Sequence, residues 1–264
     1  MRTSKITQAV SLILMSASLS VSATEKVSPS DLTQVNSFIS GSANNNKDIS
    51  VMGGIAGSYA KGNNFIGLIE HQTETNKGRK AQDTRIRYFQ VFDLNTAFAD
   101  QIGFSVDYKK SWKMSSQDPD AFGTDTVAVG IINKYSLTEK LSVYPNVAYV
   151  AGQATGNDGK KVKVRGFQTN IFTSYEINNS SYIIVQPQFQ RADLTPSTTK
   201  GAAAKVDTFK IKTGYGMSLD QAGQWWIEAS HTYTRNNARI KFISNKTIGI
   251  DKDHLFEVTA SYYF

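Results

Sequence analysis

The chain has no cysteine and only three histidines among 264 residues. Without cysteine, neither a disulfide framework nor a thiolate metal site can form. The three histidines are His71, His231 and His254. Ser230 and His231 are adjacent, so on a strand they face opposite sides and cannot share a proton. No serine lies two residues from a histidine, the spacing that would put both on one face of a strand. A surface serine–histidine lipase or deacylase would then need His71 to meet a serine across strands. A third absence is a long apolar run. Beyond the first 23 residues, nothing supplies the ~20 consecutive apolar residues of a spanning helix. Nor is the charge balance extreme. Formal net charge is +7, an excess that suits an anionic ligand or lipid phosphates but makes no case for nucleic acid.

What is present begins with a leader. Residues 1–23 carry Arg2 and Lys5 without an acid, then the apolar run Ala9 to Leu19, then the small-residue stretch Val21-Ser22-Ala23. That order reads as a cleaved secretory signal peptide, with residues 24–264 as a single domain.

The rest of the chain alternates. Phe256, Val258, Ala260, Tyr262 and Phe264 share one parity, with mostly polar residues between them. The same period of two recurs at Trp225, Ile227 and Ala229, at Phe209, Ile211 and Tyr215, at Ile183 and Val185, at Val127, Val129 and Ile131, and at Ile102, Phe104 and Tyr108. Each run has about the 9–11 residues that a tilted strand needs to cross a bilayer. The links alternate as well. Lys61 to Asn63, Asp93 to Asp100, Ser136 to Lys140, Ile177 to Ser180 and Leu219 to Gln224 are short. Thr73 to Gln82, Met114 to Gly123, Gly152 to Lys160, Ala192 to Ala204 and Asn236 to Asp253 are long and polar. The long outer link Asn236 to Asp253 reads either as a hairpin above the membrane or as an inward constriction. Short turns at one end and long loops at the other mark a transmembrane antiparallel up-and-down β-barrel, an all-β fold. A strand pairing with Asp48 to Ala60 is needed to bring the count to an even number. Leu32 to Ser40 is the available segment, giving twelve strands, with ten or fourteen as alternatives.

The leader, the repeated hairpins and the closing "FEVTASYYF" resemble the Gram-negative outer-membrane β-barrel superfamily. The resemblance implies a bacterial outer-membrane location, contact with outer-membrane lipids and lipopolysaccharide, and recognition of Phe256 to Phe264 by the barrel-insertion machinery. Strand number and basic inward positions further resemble the small monomeric porins specific for acidic oligosaccharides, the oligogalacturonate type. That likeness implies a monomer passing a small anionic solute.

Assigning the apolar parity to lipid leaves Arg85, Arg87, Lys109, Lys134, Lys210 and Lys212 as inward bases. Polar company comes from Tyr144, Gln186 and Gln188, and inward acids are Asp107, Glu176, Glu228 and Glu257. Arg85 with Arg87, and Lys210 with Lys212, form two-step ladders that would hand carboxylates from site to site. The pore-lining set is thus Arg85, Arg87, Lys109, Lys210, Lys212, Tyr144, Gln186 and Gln188, with no catalytic residue, metal or cofactor. Two other readings stay open. The bases and acids can neutralise one another and fill the interior, or the barrel can be a structural or adhesive one with a closed lumen and binding loops. Lys163 and Arg165 share the lipid parity of Phe167, where lipopolysaccharide phosphates are the expected partner. Trp225 and Trp226 point to opposite faces, one to lipid and one to the periplasmic mouth.

Overall fold

A computed structural model describes residues 27–33, 35–75, 82–94, 96, 99–112, 123–155, 161–196, 204–240 and 247–264. The expected leader lies outside these residues, as does the expected loop Met114 to Gly123 apart from Gly123 itself. The strands are β1 (Phe38–Asn44), β2 (Asp48–Ala60), β3 (Asn63–Glu74), β4 (Gln82–Asp93), β5 (Gln101–Trp112) and β6 (Gly123–Thr138). They continue with β7 (Leu141–Thr155), β8 (Lys161–Asn178), β9 (Ser181–Pro196), β10 (Ala204–Ser218), β11 (Trp225–Ile240) and β12 (Thr247–Tyr263). Each pairs antiparallel with its sequence neighbours, and β1 pairs with β12, so the sheet is a closed twelve-strand barrel. Closure leaves no unpaired edge, which a chain crossing hydrocarbon requires.

The alternation dictates which side faces out. Ile55, Ile69, Val129, Ile131, Val147 and Phe256 are all more than half exposed, an arrangement with no driving force in water and a favourable one in lipid. The intervening positions face a lumen. On β12, Phe256 and Val258 point outward while Glu257 turns inward and accepts a hydrogen bond from Ser42 on β1 at 3.0 Å.

The seam departs from the expectation in one respect. The first strand is Phe38–Asn44, not Leu32 to Ser40, and its register runs from Phe38 opposite Tyr263 to Asn44 opposite Glu257. The link to β2 is the tight turn Asn45–Lys47, with Lys47 at φ 65°. The Asn44 side-chain oxygen accepts from the backbone N–H groups of Asn46 and Asp48, so "GSANNNK" is half strand and not a loop. Ser28-Pro29-Ser30-Asp31 forms a turn closed by Asp31 N–H to Ser28 C=O at 3.1 Å. The Asp31 carboxylate then accepts from the N–H and the hydroxyl of Thr33 at 2.8 and 2.7 Å. Proline at the second turn position and this aspartate turn hold residues 28–33 out of the strand conformation. The segment folds into the lumen instead.

Other bounds also shift. Asn236 to Ile240 and Thr247 to Asp253 are paired strand, with a register shift at Asn237/Ala238, so the expected outer loop is largely an extension of the β11–β12 hairpin. The same lengthening takes in Gly152 to Thr155 on β7 and Ala192 to Pro196 on β9. At the short-turn end two inward glycines make room for aromatic rings. A Cβ on Gly54 would stand 2.3 Å from the Phe38 ring, and one on Gly216 would stand 2.2 Å from the Tyr182 ring.

Candidate functional site

The lumen has two parts that differ in chemistry. At the short-turn end, Leu68, Phe89, Val91, Ile132 and Tyr144 form a buried apolar cluster against which Leu32 and Phe38 pack. A second cluster of Tyr182, Ile184, Trp226 and Tyr263 receives Val27 and Phe38. The segment 27–33 therefore lies across the inside of this end like a floor. Polar contacts fasten it. Lys134 Nζ sits 2.9 Å from Asp31 Oδ2 and 3.0 Å from the Thr33 hydroxyl. Ser28 donates to Glu176, and the hydroxyls of Ser30 and Ser174 share a hydrogen bond. Burial alone would raise the Asp31 carboxyl, but the Lys134 ammonium and the hydrogen bonds to Lys134 and Thr33 outweigh it and hold it below its ordinary value.

Above the floor is a cavity of about 460 Å³, lined by charged and amide side chains and, on the floor side, by Ser30, Leu32, Leu68 and Phe89. Because β4 and β10 are six strands apart in a ring of twelve, Arg85 and Arg87 stand across the lumen from Lys210 and Lys212. Most of these bases are paired. Arg85 forks onto Asp107, with Nε to Oδ1 at 2.9 Å. Arg87 meets Glu70 at 3.1 Å, and Lys109 meets Asp83 at 3.4 Å. Lys212 lies 2.9 Å from Glu228 and 3.8 Å from Glu257. Tyr182 donates to Glu228 at 3.0 Å, and Ser42 bonds to both Glu257 and Ser50, so this network crosses the β1–β12 seam from inside. On the β5–β8 wall the amides link instead: Asn146 donates to Ser105 at 2.9 Å, and Asn170 donates to Asn146 at 2.8 Å.

Lys210 differs from the others. Among the described residues it is the inward base of this ring with no carboxylate within 4.0 Å. It lines both the central cavity and an outer vestibule that also includes Gln190, Thr208, Thr234, Asn236, Asp251, Lys252 and Asp253. Gln188 is its direct cross-strand neighbour on β9, and Gln186 holds the same relation to Lys212.

Of the eight residues expected to line a pore, Arg85, Arg87, Lys210, Lys212, Gln186 and Gln188 line the central cavity. Lys109 lies on the same parity as Asp107, one step nearer the loop end, paired to Asp83. Tyr144 is a correction. It points inward but is fully buried in the floor, with the Lys134 ammonium 5.7 Å from its ring centre, and it touches no open cavity. The ladder idea is also corrected in part, since three of its four bases, Arg85, Arg87 and Lys212, face carboxylates. Glu70, Asp83 and Asp31 were not among the expected acids. The signal for Glu70 was available, because its parity matches Leu68 and opposes Ile69.

The outward face carries the histidines. His231 Nε2 and His254 Nδ1 stand 3.0 Å apart, and His71 bonds to the Thr84 hydroxyl at 3.0 Å. Trp225 is half exposed on the outside, whereas Trp226 is buried at the short-turn mouth with its indole N–H on Gly223 C=O at 2.8 Å.

No protein-family model matches the chain, and no curated protein matches it in sequence. Its shape is nevertheless shared with solved structures. An outer-membrane channel from Pseudomonas putida F1 superposes with a TM-score of 0.57 at 9% identity, covering 90% of this chain and 100% of that one. The fold is that of an outer-membrane β-barrel. A KdgM porin aligns with a TM-score of 0.44 at 11% identity, over 87% of this chain and 99% of its own. The translocator domain of the autotransporter NalP from Neisseria meningitidis gives 0.49 at 11%, over 87% of each.

Proposed function

We propose that the protein is an outer-membrane channel admitting small anionic, hydroxyl-rich solutes, with acidic oligosaccharides as the class that fits best. Lys210 carries this reading. A positive charge with no salt-bridge partner among the described residues, set between vestibule and central cavity, is placed to take a carboxylate from the outer side and release it inward. The amides of Gln188 and Gln190 beside it, and the hydroxyls of Thr208 and Thr234, supply donors and acceptors for a sugar ring. The remaining bases are neutralised by their carboxylates, so anion preference should be modest and concentrated at one position. The channel in the Pseudomonas putida structure supports the general class and says nothing of the solute.

A second reading has its own observation. The seated segment 27–33 favours a barrel closed at its short-turn end, as a structural or adhesive protein would be. Single-channel recording in a salt gradient separates the two. The channel reading expects conductance whose reversal potential favours anions and moves toward cations in Lys210→Gln. A silent wild-type protein that stays silent in Asp31→Ala would support the closed barrel.

A further inference from the structure

The bases of the outer surface gather on one side. On the outward-facing positions of β1 to β7, Lys110 is the one Lys or Arg among the described strand residues, and Asp125 pairs with it at 3.4 Å. On β8 to β12 the outward positions toward the long-loop end are rich in bases. The registers place them side by side: Arg165 is opposite Asp193, Asp193 opposite Lys205, and Lys205 opposite Arg239. In a neighbouring row Phe209 is opposite Arg235, and Arg235 opposite Lys252. Arg191, Lys205 and Arg239 share the carboxylates of Asp193 and Asp207. Lys163, Arg165, Arg235 and Lys252 are exposed and, among the described residues, have no carboxylate within 4.0 Å.

The position of this patch along the barrel narrows what it can bind. On the turn side it is bordered by Phe167, Phe189 and Phe209, outward aromatic residues of the kind that sit where hydrocarbon meets headgroups. The bases stand just beyond that girdle, at the long-loop end, which in barrels of this fold is the outer surface. A free basic cluster at that depth meets the headgroup layer before it meets water. Arginine forks match phosphate oxygens, and each base near an anionic lipid surface adds to the attraction.

We infer that the outward face of β8 to β12 binds the phosphorylated sugar headgroup of lipopolysaccharide, with Lys163, Arg165, Arg235 and Lys252 as the phosphate contacts. The site rests on the outer-membrane orientation of the barrel and lies on its outward face, with Lys252 also bordering the outer vestibule. It commits the protein to an oriented lipid neighbour on one side, leaving the β1 to β7 face to generic acyl chains.

The test uses the full-length protein in detergent and follows its thermal unfolding with added rough lipopolysaccharide, the same lipid after phosphate removal, phosphatidylglycerol, or inorganic phosphate. Lipopolysaccharide should raise the unfolding temperature in a saturable way, and the other three should not match it. The fourfold variant Lys163→Gln, Arg165→Gln, Arg235→Gln, Lys252→Gln should weaken the half-saturating concentration at least about tenfold, while Lys110→Gln leaves it unchanged. An equal shift with the dephosphorylated lipid, phosphatidylglycerol or inorganic phosphate would overturn the inference. So would wild-type affinity in the fourfold variant. If that variant does not fold, the four ligand arms on wild-type protein decide the matter alone. Channel conductance recorded on the same preparation keeps failure of the lipid site distinct from failure of the channel reading.

Discussion

The two ends of the lumen use the same strands for opposite purposes. Toward the loops, inward positions carry bases, acids and amides around a cavity, and their charges are satisfied mainly by cross-strand partners such as Arg85 with Asp107 and Lys212 with Glu228. Toward the turns, the same inward parity carries Leu68, Phe89, Ile132 and Tyr144, a buried cluster against which Leu32 of the seated segment packs. A barrel interior therefore need not be uniform. What an inward position contributes depends on what fills the space in front of it, and here a short N-terminal segment decides that for half the lumen. The floor is secured by one largely buried ion pair, while the ring above it is secured by many partial ones.

Breaking that one pair should have the largest effect. The Asp31 and Lys134 side chains are 17% and 16% exposed, so Asp31→Ala strands a buried ammonium, a loss of about 3–5 kcal/mol. That exceeds what a short segment with a few apolar contacts can absorb, so it should leave the lumen. Single-channel conductance is then expected to rise several-fold. The double variant Asp31→Asn with Lys134→Gln removes both charges together and should return conductance most of the way to wild type.

Next in size is Tyr144→Ala, which removes a fully buried aromatic ring from the floor. A loss of about 3–5 kcal/mol is expected for such a truncation, read as a lower midpoint in thermal unfolding with anion preference left as it was. Acid should loosen the floor without mutation. The Asp31 carboxyl is held below its ordinary value of 3.8. Its stabilisation is therefore fully present above that value and fades as pH falls through the lower, folded one. Conductance should stay constant from neutral down through mildly acid pH and rise only below about pH 4. Asp31→Asn should abolish the rise.

Lys210→Gln comes after these. It should leave stability and conductance near wild type and move the reversal potential toward cations. Arg87→Gln sharpens the contrast, since it strands Glu70 and should lower stability more than it alters selectivity. Smallest is Lys109→Gln, whose side chain is 47% exposed and whose pairing with Asp83 at 3.4 Å is a weak surface contact, with changes expected within about 0.5 kcal/mol and little effect on selectivity.

These contrasts also mark how far the sequence could be read. Strand existence, the inward or outward face of nearly every position and closure through Phe256 to Phe264 all follow from a period of two, because lipid and lumen make opposite demands on neighbouring residues. The first strand was misplaced because in "LTQVNSFIS" neither parity is cleanly apolar. Pairing with Tyr263, together with the turn at Pro29 and Asp31, decides where β1 begins. Inward bases were legible but their partners were not. Glu70 neutralises Arg87 through a register that spans two strands, and local spacing contains no record of it. Tyr144 shows the same limit from the other side. Its parity says inward, and only the seated segment says that inward there means buried.

The central claim is that this barrel conducts through a polar ring lying over a floor fastened by Asp31 and Lys134. It is tested most directly by single-channel conductance of wild-type and Asp31→Ala protein, recorded in planar bilayers under a salt gradient. The account predicts a small, anion-preferring conductance in the wild type and a several-fold larger one in the variant. Equal conductance in the two, or silence in both, would contradict it.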